Sequence, residues 1–343
     1  MLCNGVFEGG GVKGIGLVGA VCAMEDAGYI FEDVAGTSAG SIVACLISAG
    51  FSGKEIKSKM MKLDFKRLRG HTTLTRLGFV GKALKLLSTN GIYSPDYLES
   101  WLDDLLAKKN ISRFVHIKDK SKTRRSPYRF QAVASDLSNS RMLVLPRDLR
   151  NFGIVPDNFS LSKAVRMSIS IPLYFEPYNL VDVDGKNHVI VDGGLLSNYP
   201  MWLLDTRRSI MPTFGFKFLS SNCDTVYCGD YYSINNSRDY AQALLRTSLD
   251  AHDKFYESLN RGDLERTIGI STIVHRGDKP HEIAAVDFGI DEAEMEELFN
   301  NGYNAAKNFL REWSFEDWKA RYANPDIRLA RGAGRLSRGR ATI

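Results

Sequence analysis

The chain has 343 residues, 44% of them hydrophobic, so it can bury the core of one large domain or two small ones. With 45 basic and 40 acidic residues its net charge is +5, which excludes the overall charge signature of a nucleic-acid binder, and no nucleic-acid partner is expected. The five cysteines (3, 22, 45, 223 and 228) are odd in number and lack C-x-x-C spacing, so they read as buried or incidental thiols in a reducing compartment.

Leu2 to Glu8 predicts a short strand, followed directly by Gly9-Gly10-Gly11-Val12-Lys13-Gly14. The helix expected next, through Met24, is apolar nearly all round and therefore buried. Glu32 to Ala35 leads a second strand into Gly36-Thr37-Ser38-Ala39-Gly40, with a second buried helix over Ser41 to Ala49. Val34 to Ser52 is uncharged and approaches membrane-span length, but its glycines, serines and tight turn favour a buried turn and core helix. Met1 runs straight into a strand with no basic segment ahead of an apolar one, so the expected location is cytoplasmic.

From Ser52 to Ile111 the pattern is helical and more polar, with Leu63, Phe65, Leu68, Leu74, Leu77 and Phe79 set in a basic background. Lys54 to Arg76 holds eight Lys/Arg against Glu55 and Asp64, so residues 52–111 stand as either a lid that completes the core or a membrane-facing segment. Tyr93 to Leu106 predicts an amphipathic helix with Ser94 as N-cap and Pro95 at its first position. Strands are expected at Tyr128 to Ala134, Leu143 to Leu145, Val189 to Val191, Phe214 to Phe218 and Ile268 to Ile273. Helices are expected at Leu161 to Ser168, Tyr240 to Leu259 and Glu292 to Trp313. This alternation predicts an α/β fold, a three-layer sandwich with a mostly parallel central sheet and helices on both faces. Residues 1–322 read as one domain, and 323–343 as a basic, disordered tail.

Ser38 sits where a nucleophile elbow would place it. A serine on a sharp strand-to-helix turn needs glycines two residues either side, because a Cβ there would clash as the backbone bends. The turn exposes the hydroxyl, and the next helix points its N-terminus at any anion formed there. Gly9, Gly11 and Gly14 also satisfy G-x-G-x-x-G, but a dinucleotide site wants an acid at the end of the second strand, and Glu32 and Asp33 fall at its beginning. The other reading of the glycine run is an oxyanion hole, in which main-chain N–H groups converge at a helix N-terminus.

A nucleophilic serine needs a base. The six histidines (71, 116, 188, 252, 275 and 281) carry no special-geometry signal: His188 precedes a strand, and His275 and His281 fall in a polar loop. Asp192 ends an apolar strand and is followed by two glycines, which would set it at the carboxyl edge of the sheet beside Ser38. Burial would raise its pKa towards that of a working base; a plain turn aspartate is the alternative.

GGGVKG (9–14), GTSAG (36–40) and DGGLLSNYP (192–200) resemble, in order, the three signature blocks of the patatin-like phospholipase family of bacterial type. AVASDL (132–137) and SKAVRMSISIPLYFEP (162–177) resemble two weaker blocks of the same family, so the likeness spans about residues 5–200. The resemblance implies a Ser–Asp dyad without histidine: Ser38 as nucleophile, Asp192 as base, and Gly9, Gly10 and Gly11 as the oxyanion-hole loop. It implies a lipid acyl hydrolase acting on phospholipid or other lipid esters, without cofactor or metal, with peripheral membrane contact as a further expectation. Two rival readings remain. One is a Ser-His-Asp esterase or acyltransferase using His252, His275 or His281; the other is a lipid-binding module of the same fold that is active only with a partner or signal.

Overall fold

The computed structural model describes residues 1–69, 90–119, 126–204, 210–219, 234–235, 240, 243, 261–277 and 279–323. Its strands are β1 (Leu2–Phe7), β2 (Ile30–Thr37), β3 (Gly91–Tyr93), β4 (Phe130–Asp136), β5 (Arg141–Leu145), β6 (Leu173–Phe175), β7 (Tyr178–Val181), β8 (Asn187–Asp192), β9 (Thr213–Phe218), β10 (Thr267–Ile270), β11 (Ile273–Arg276) and β12 (Lys279–Glu282). The main helices are α1 (Gly14–Asp26), α2 (Ala39–Ser48), α3 (Gly53–Met60), α4 (Asp96–Lys108), α5 (Leu161–Ser168) and α6 (Glu292–Glu312).

Eight strands form one mixed sheet in the order β10-β9-β1-β2-β4-β8-β7, with β5 also paired to β4. β10, β9, β1, β2 and β4 are mutually parallel. β5, β7 and β8 join by antiparallel ladders. The α/β architecture expected from the alternation is therefore present, with an antiparallel end. Period-two alternation divides its side chains. Val6, Ala35, Val133 and Val144 pack on one face with Tyr199, Met201, Leu203 and Leu204. Their neighbours Phe7, Val34, Ala132 and Leu143 join the larger core on the other, together with α1, α2, α4 and α5.

β4 determines where the Ser38 and Asp192 turns meet. Its edge towards β5 is occupied along Ala132–Asp136. The opposite edge is shared: β2 runs parallel to the first half, ending at the pair Thr37–Val133. β8 runs antiparallel to the second half, ending at the pair Asp192–Ala134. The two strands point at each other, and their carboxyl ends meet at successive residues of one edge.

α1 is buried from Gly14 through Met24, as its all-round apolar sequence requires. It packs on α6, which starts in a reciprocal capping box between Asp291 and Glu294. The two backbones nearly touch: a Cβ on Gly302 would lie 1.8 Å from the Gly16 carbonyl oxygen. The uncharged stretch Val34–Ser52 resolves into the end of β2, the Ser38 turn and α2, whose residues are all buried. Among the described residues no helix is long and apolar enough to cross a membrane. Cys3, Cys22 and Cys45 are buried free thiols; Cys223 and Cys228 lie outside the described residues.

Several boundaries differ from the sequence expectation. Tyr93 pairs with Phe175 in the β3–β6 ladder, so α4 begins later, with Pro95 as N-cap; Ser94 Oγ still accepts the Asp96 N–H, at 3.3 Å. The strand expected over Ile268 to Ile273 is broken, because Thr272 turns out to bond Glu282 Oε1 while its carbonyl takes the Ile283 N–H. Beyond that break β11 pairs with β12, so His275 and His281 sit on a hairpin rather than in a loop; His188 lies within β8. The helix expected over Tyr240 to Leu259, all but two residues of it, and the tail from 324 onward fall outside the described residues.

The α1–α6 contact generates a stability prediction. Gly302→Ala forces the helices apart and is expected to cost about 3 kcal/mol or more, whereas Lys307→Ala on the exposed face of α6 stays within about 0.5 kcal/mol of wild type. Urea denaturation of the two variants checks this, and equal midpoints would contradict the close packing.

Candidate active site

The Ser38 backbone is held at φ 51° and ψ −124°, a left-handed conformation that a residue with a Cβ rarely adopts. Both flanking glycines are required by contact. A Cβ at Gly36 would lie 2.4 Å from the Gly40 backbone, and one at Gly40 would lie 2.2 Å from the Phe7 carbonyl oxygen. The turn is pinned on either side. The Ser38 N–H donates to Ser168 Oγ at 3.0 Å. The Ser38 carbonyl accepts from Ser41 N at 2.9 Å and Ser41 Oγ at 2.6 Å.

Asp192 is buried at the end of β8, with its N–H donating to the Ser170 carbonyl at 2.9 Å. Its Oδ1 accepts the Gly194 N–H at 2.7 Å, while Oδ2 closes no hydrogen bond of standard geometry. Burial pushes the carboxyl from its ordinary 3.8 up to about 6, against the Ser38 hydroxyl and the Gly194 amide, which both favour the charged form. Ser38 is thus near enough to bias the carboxyl without closing a tight bond on it.

The glycine run is clamped by the loop after Asp192. Gly9 N–H donates to the Asn198 carbonyl at 3.0 Å, and Asn198 Nδ2 donates back to the Gly9 carbonyl at 3.1 Å. Gly9 also lies against Ser38: a Cβ on it would come within 3.1 Å of Ser38 Cβ. Its amide is therefore committed, and among the described residues no acceptor takes the N–H of Gly10 or Gly11. Thr37 Oγ1 donates to the Ser197 carbonyl at 2.9 Å, tying β2 to the same loop.

Ser38 and Gly11 open into a narrow pocket. Ser38 itself is only 7% exposed. The walls are apolar and come from well-separated segments: Ile42 of α2, Met60, Leu63, Phe65 and Leu68, Leu98 and Trp101 of α4, Ile169, Ile171 and Phe175, and Phe288. Leu63, Phe65 and Leu68, from the basic segment, are buried in that wall; Leu74, Leu77, Phe79 and the rest of 70–89 lie outside the described residues. Sequence reasoning missed Ser168, Ser197 and Asn198, although all three sit inside the blocks it singled out.

The profile of the family described as patatin-like phospholipase matches residues 5–205. The chain belongs to this family. Over 319 residues it is 34% identical to an uncharacterized protein, YqhO, of Bacillus subtilis (strain 168), covering 92% of this chain and 100% of that one. It is 24% identical over 197 residues to a probable lipid hydrolase, 463L, of Invertebrate iridescent virus 6, covering 57% of this chain and 61% of that one. Among solved structures it is similar to VipD from Legionella pneumophila, with 16% identity and a TM-score of 0.48, covering 90% of this chain and 66% of that one.

No histidine among the described residues lines the pocket of this patatin-like chain. His188 is bracketed by Asp182 and Asn139, each 3.1 Å away. His275 Nδ1 lies 2.6 Å from Glu297, and His281 Nε2 lies 3.4 Å from Glu294. His116 Nδ1 accepts the Ser112 and Arg113 amides; His71 and His252 lie outside the described residues. Nor does any group of His, Cys, Asp and Glu among the described residues make a metal site.

The raised Asp192 pKa acts with opposite signs on activity and stability. If its carboxylate is the base, kcat/KM on a soluble ester rises with pH through about 6 and levels off above it. The folded carboxyl binds its proton more tightly than the unfolded chain does. Its contribution thus favours the fold at low pH and is lost as pH rises through about 6. Asp192→Asn, which cannot ionise, is expected to gain up to about 3 kcal/mol over wild type between pH 4 and 8. A stability difference that stays flat over that range in urea titrations would contradict the raised pKa.

Proposed function

We propose that the protein is a lipid acyl hydrolase that frees fatty acids from phospholipid or related lipid esters through an acyl-enzyme on Ser38, with Asp192 as base. The observation that carries this reading is the Ser38 hydroxyl on a strained turn, beside a buried carboxyl of raised pKa, at the head of an apolar pocket. A pocket with this apolar lining suits an acyl chain rather than a polar substrate.

In this mechanism Ser38 Oγ attacks the ester carbonyl carbon as Asp192 takes its proton. The carbonyl oxygen becomes an oxyanion at the N-terminal end of α2, facing the amides of Gly10 and Gly11. Gly9 serves mainly as the clamped hinge of that loop, its own N–H being spent on Asn198. The ester C–O bond breaks, and the leaving alcohol or lysophospholipid collects the proton from Asp192. Water then attacks the acyl carbon, again losing a proton to Asp192, and the fatty acid leaves as Ser38 is restored. None of these steps calls for a histidine, a metal or a cofactor.

Peripheral contact with a membrane is part of the reading. Leu173 is 62% exposed and held at φ 67°, and Val286 is 40% exposed. They stand within two residues of the pocket-lining Ile171, Phe175 and Phe288. Lys62 and Arg67, both exposed, flank the wall residues Leu63 and Leu68 and would meet anionic headgroups.

Fatty-acid release from phospholipid vesicles is expected to fall at least about a thousandfold in both Ser38→Ala and Asp192→Asn, with circular dichroism unchanged. Release from a short-chain ester alone, still dependent on Ser38, would mean that the lipid substrate or an activator is missing. No Ser38-dependent turnover of any ester would favour the lipid-binding module. For the membrane contact the variant is Leu173→Asn, since asparagine tolerates the left-handed backbone. It should lower vesicle hydrolysis by about tenfold or more while soluble-ester hydrolysis is kept; a parallel fall in both would argue against surface docking.

A further inference from the structure

Ser168, the last residue of α5, is completely buried and stands between the two halves of the site. Its hydroxyl makes two hydrogen bonds. It accepts the Ser38 N–H at 3.0 Å and donates to the Val133 carbonyl at 2.6 Å. Val133 is the β4 residue paired with Thr37 at the end of β2. The same Val133 carbonyl also abuts the turn after Asp192, since a Cβ on Gly193 would lie 2.2 Å from its oxygen. One hydroxyl therefore joins the amide of the Ser38 turn to the point of β4 against which the Asp192 turn is packed.

We propose that Ser168 is a positioning residue for acyl transfer: its hydroxyl fixes the left-handed backbone of Ser38 from the amide side and so holds Ser38 Oγ between the pocket and Asp192. The proposal rests on the reading of Ser38 as nucleophile. A serine at φ 51° keeps that conformation only where its surroundings over-determine it. Ser41 supplies the constraint on the carbonyl side, through both its N–H and its hydroxyl. Ser168 supplies it on the amide side. Without the hydroxyl, the Ser38 N–H and the Val133 carbonyl are left buried without this partner, which is costly wherever water cannot replace it. The amide can regain an acceptor only by rotating the peptide, and that rotation carries Oγ off its line to the carboxyl. Ser168 touches no reacting atom and acts entirely through the backbone.

The test compares wild type, Ser38→Ala, Ser168→Ala and Ser168→Cys. Cysteine keeps a similar shape with a weaker donor and acceptor. The readouts are the rate at which a fluorophosphonate probe labels Ser38, and kcat and KM on a soluble short-chain ester, both per mole of folded protein. Ser168→Ala is expected to lose about tenfold to hundredfold in labelling rate and kcat, with KM kept within about twofold. Ser168→Cys should fall between alanine and wild type. A purely structural role would lower the folded fraction and leave the rates per folded molecule unchanged, and that result overturns the proposal. If Ser168→Ala does not fold, Ser168→Cys decides: a partial loss of labelling supports the role, and the wild-type rate overturns it. A wild type that forms no adduct on Ser38 overturns the nucleophile reading and this role together. An adduct formed undiminished in Ser168→Ala overturns the role of Ser168 only.

Discussion

β2 and β8 share one edge of β4, and because they run in opposite directions their carboxyl ends meet there, at the pairs Thr37–Val133 and Asp192–Ala134. In an all-parallel sheet the ends of neighbouring strands lie side by side, and a residue leaving one strand faces the loop that follows the next. Here the ends face each other in line. The chain must therefore turn away sharply at both points, and it does so with glycines: Gly36 and Gly40 around Ser38, and Gly193 after Asp192. The juxtaposition of hydroxyl and carboxyl thus follows from ladder register. A one-residue slip of β8 would turn Asp192 to the opposite face of the sheet.

What the register brings together is unfavourable taken by itself. Ser38 is held in a conformation that commonly costs about 1–3 kcal/mol, and Asp192 is a carboxyl without the water it needs to ionise at its ordinary pH. Both are sustained by buried partners that belong to neither residue. Ser168 and Ser41 hold the turn from its two ends. Ser197 and Asn198 tie the loop after Asp192 back to Thr37 and Gly9. The loop that carries the carboxyl therefore also braces the glycine run, so the three signature blocks form one connected unit. Each small polar residue inside them has a partner in another block, which accounts for their occurring together.

The candidate site was legible in the sequence because the demands of a tight turn are local. The glycines around Ser38 and Gly193 after Asp192 mark backbone paths with no room for a Cβ, and those marks lie within a few positions of the two candidate side chains. Direction in a sheet is not local. The apolar run Val189–Val191 reads the same in either orientation, so the antiparallel end of the sheet, which carries Asp192, was not visible. Nor was the assignment of individual amides: Gly9, Gly10 and Gly11 look equivalent as letters, and only the position of Asn198 commits the first of them. The start of α4 and the break after β10 were misread for a related reason, since Tyr93 pairs with Phe175 and Thr272 bonds Glu282, both partners distant from the local pattern. Ser168 carried no signal beyond being small.

The pocket was hidden for a different reason. Met60, Leu63, Phe65, Leu68, Leu98 and Trp101 follow ordinary core periodicity, and nothing in that pattern separates a residue lining a cavity from one filling it. They also come from the segments between the blocks, whereas Ser38, Asp192 and the glycine run come from within them. The two sets answer to different constraints. The blocks are bound to one another by short hydrogen bonds and by contacts that leave no room for a Cβ, so they tolerate little change. The wall residues need only be apolar and of suitable size, a looser requirement. The Ser38–Asp192 geometry can therefore stay fixed while α3, α4 and the loop bearing Phe288 reshape the cavity, and on the proposed reading those wall residues set the length and shape of the acyl group accepted.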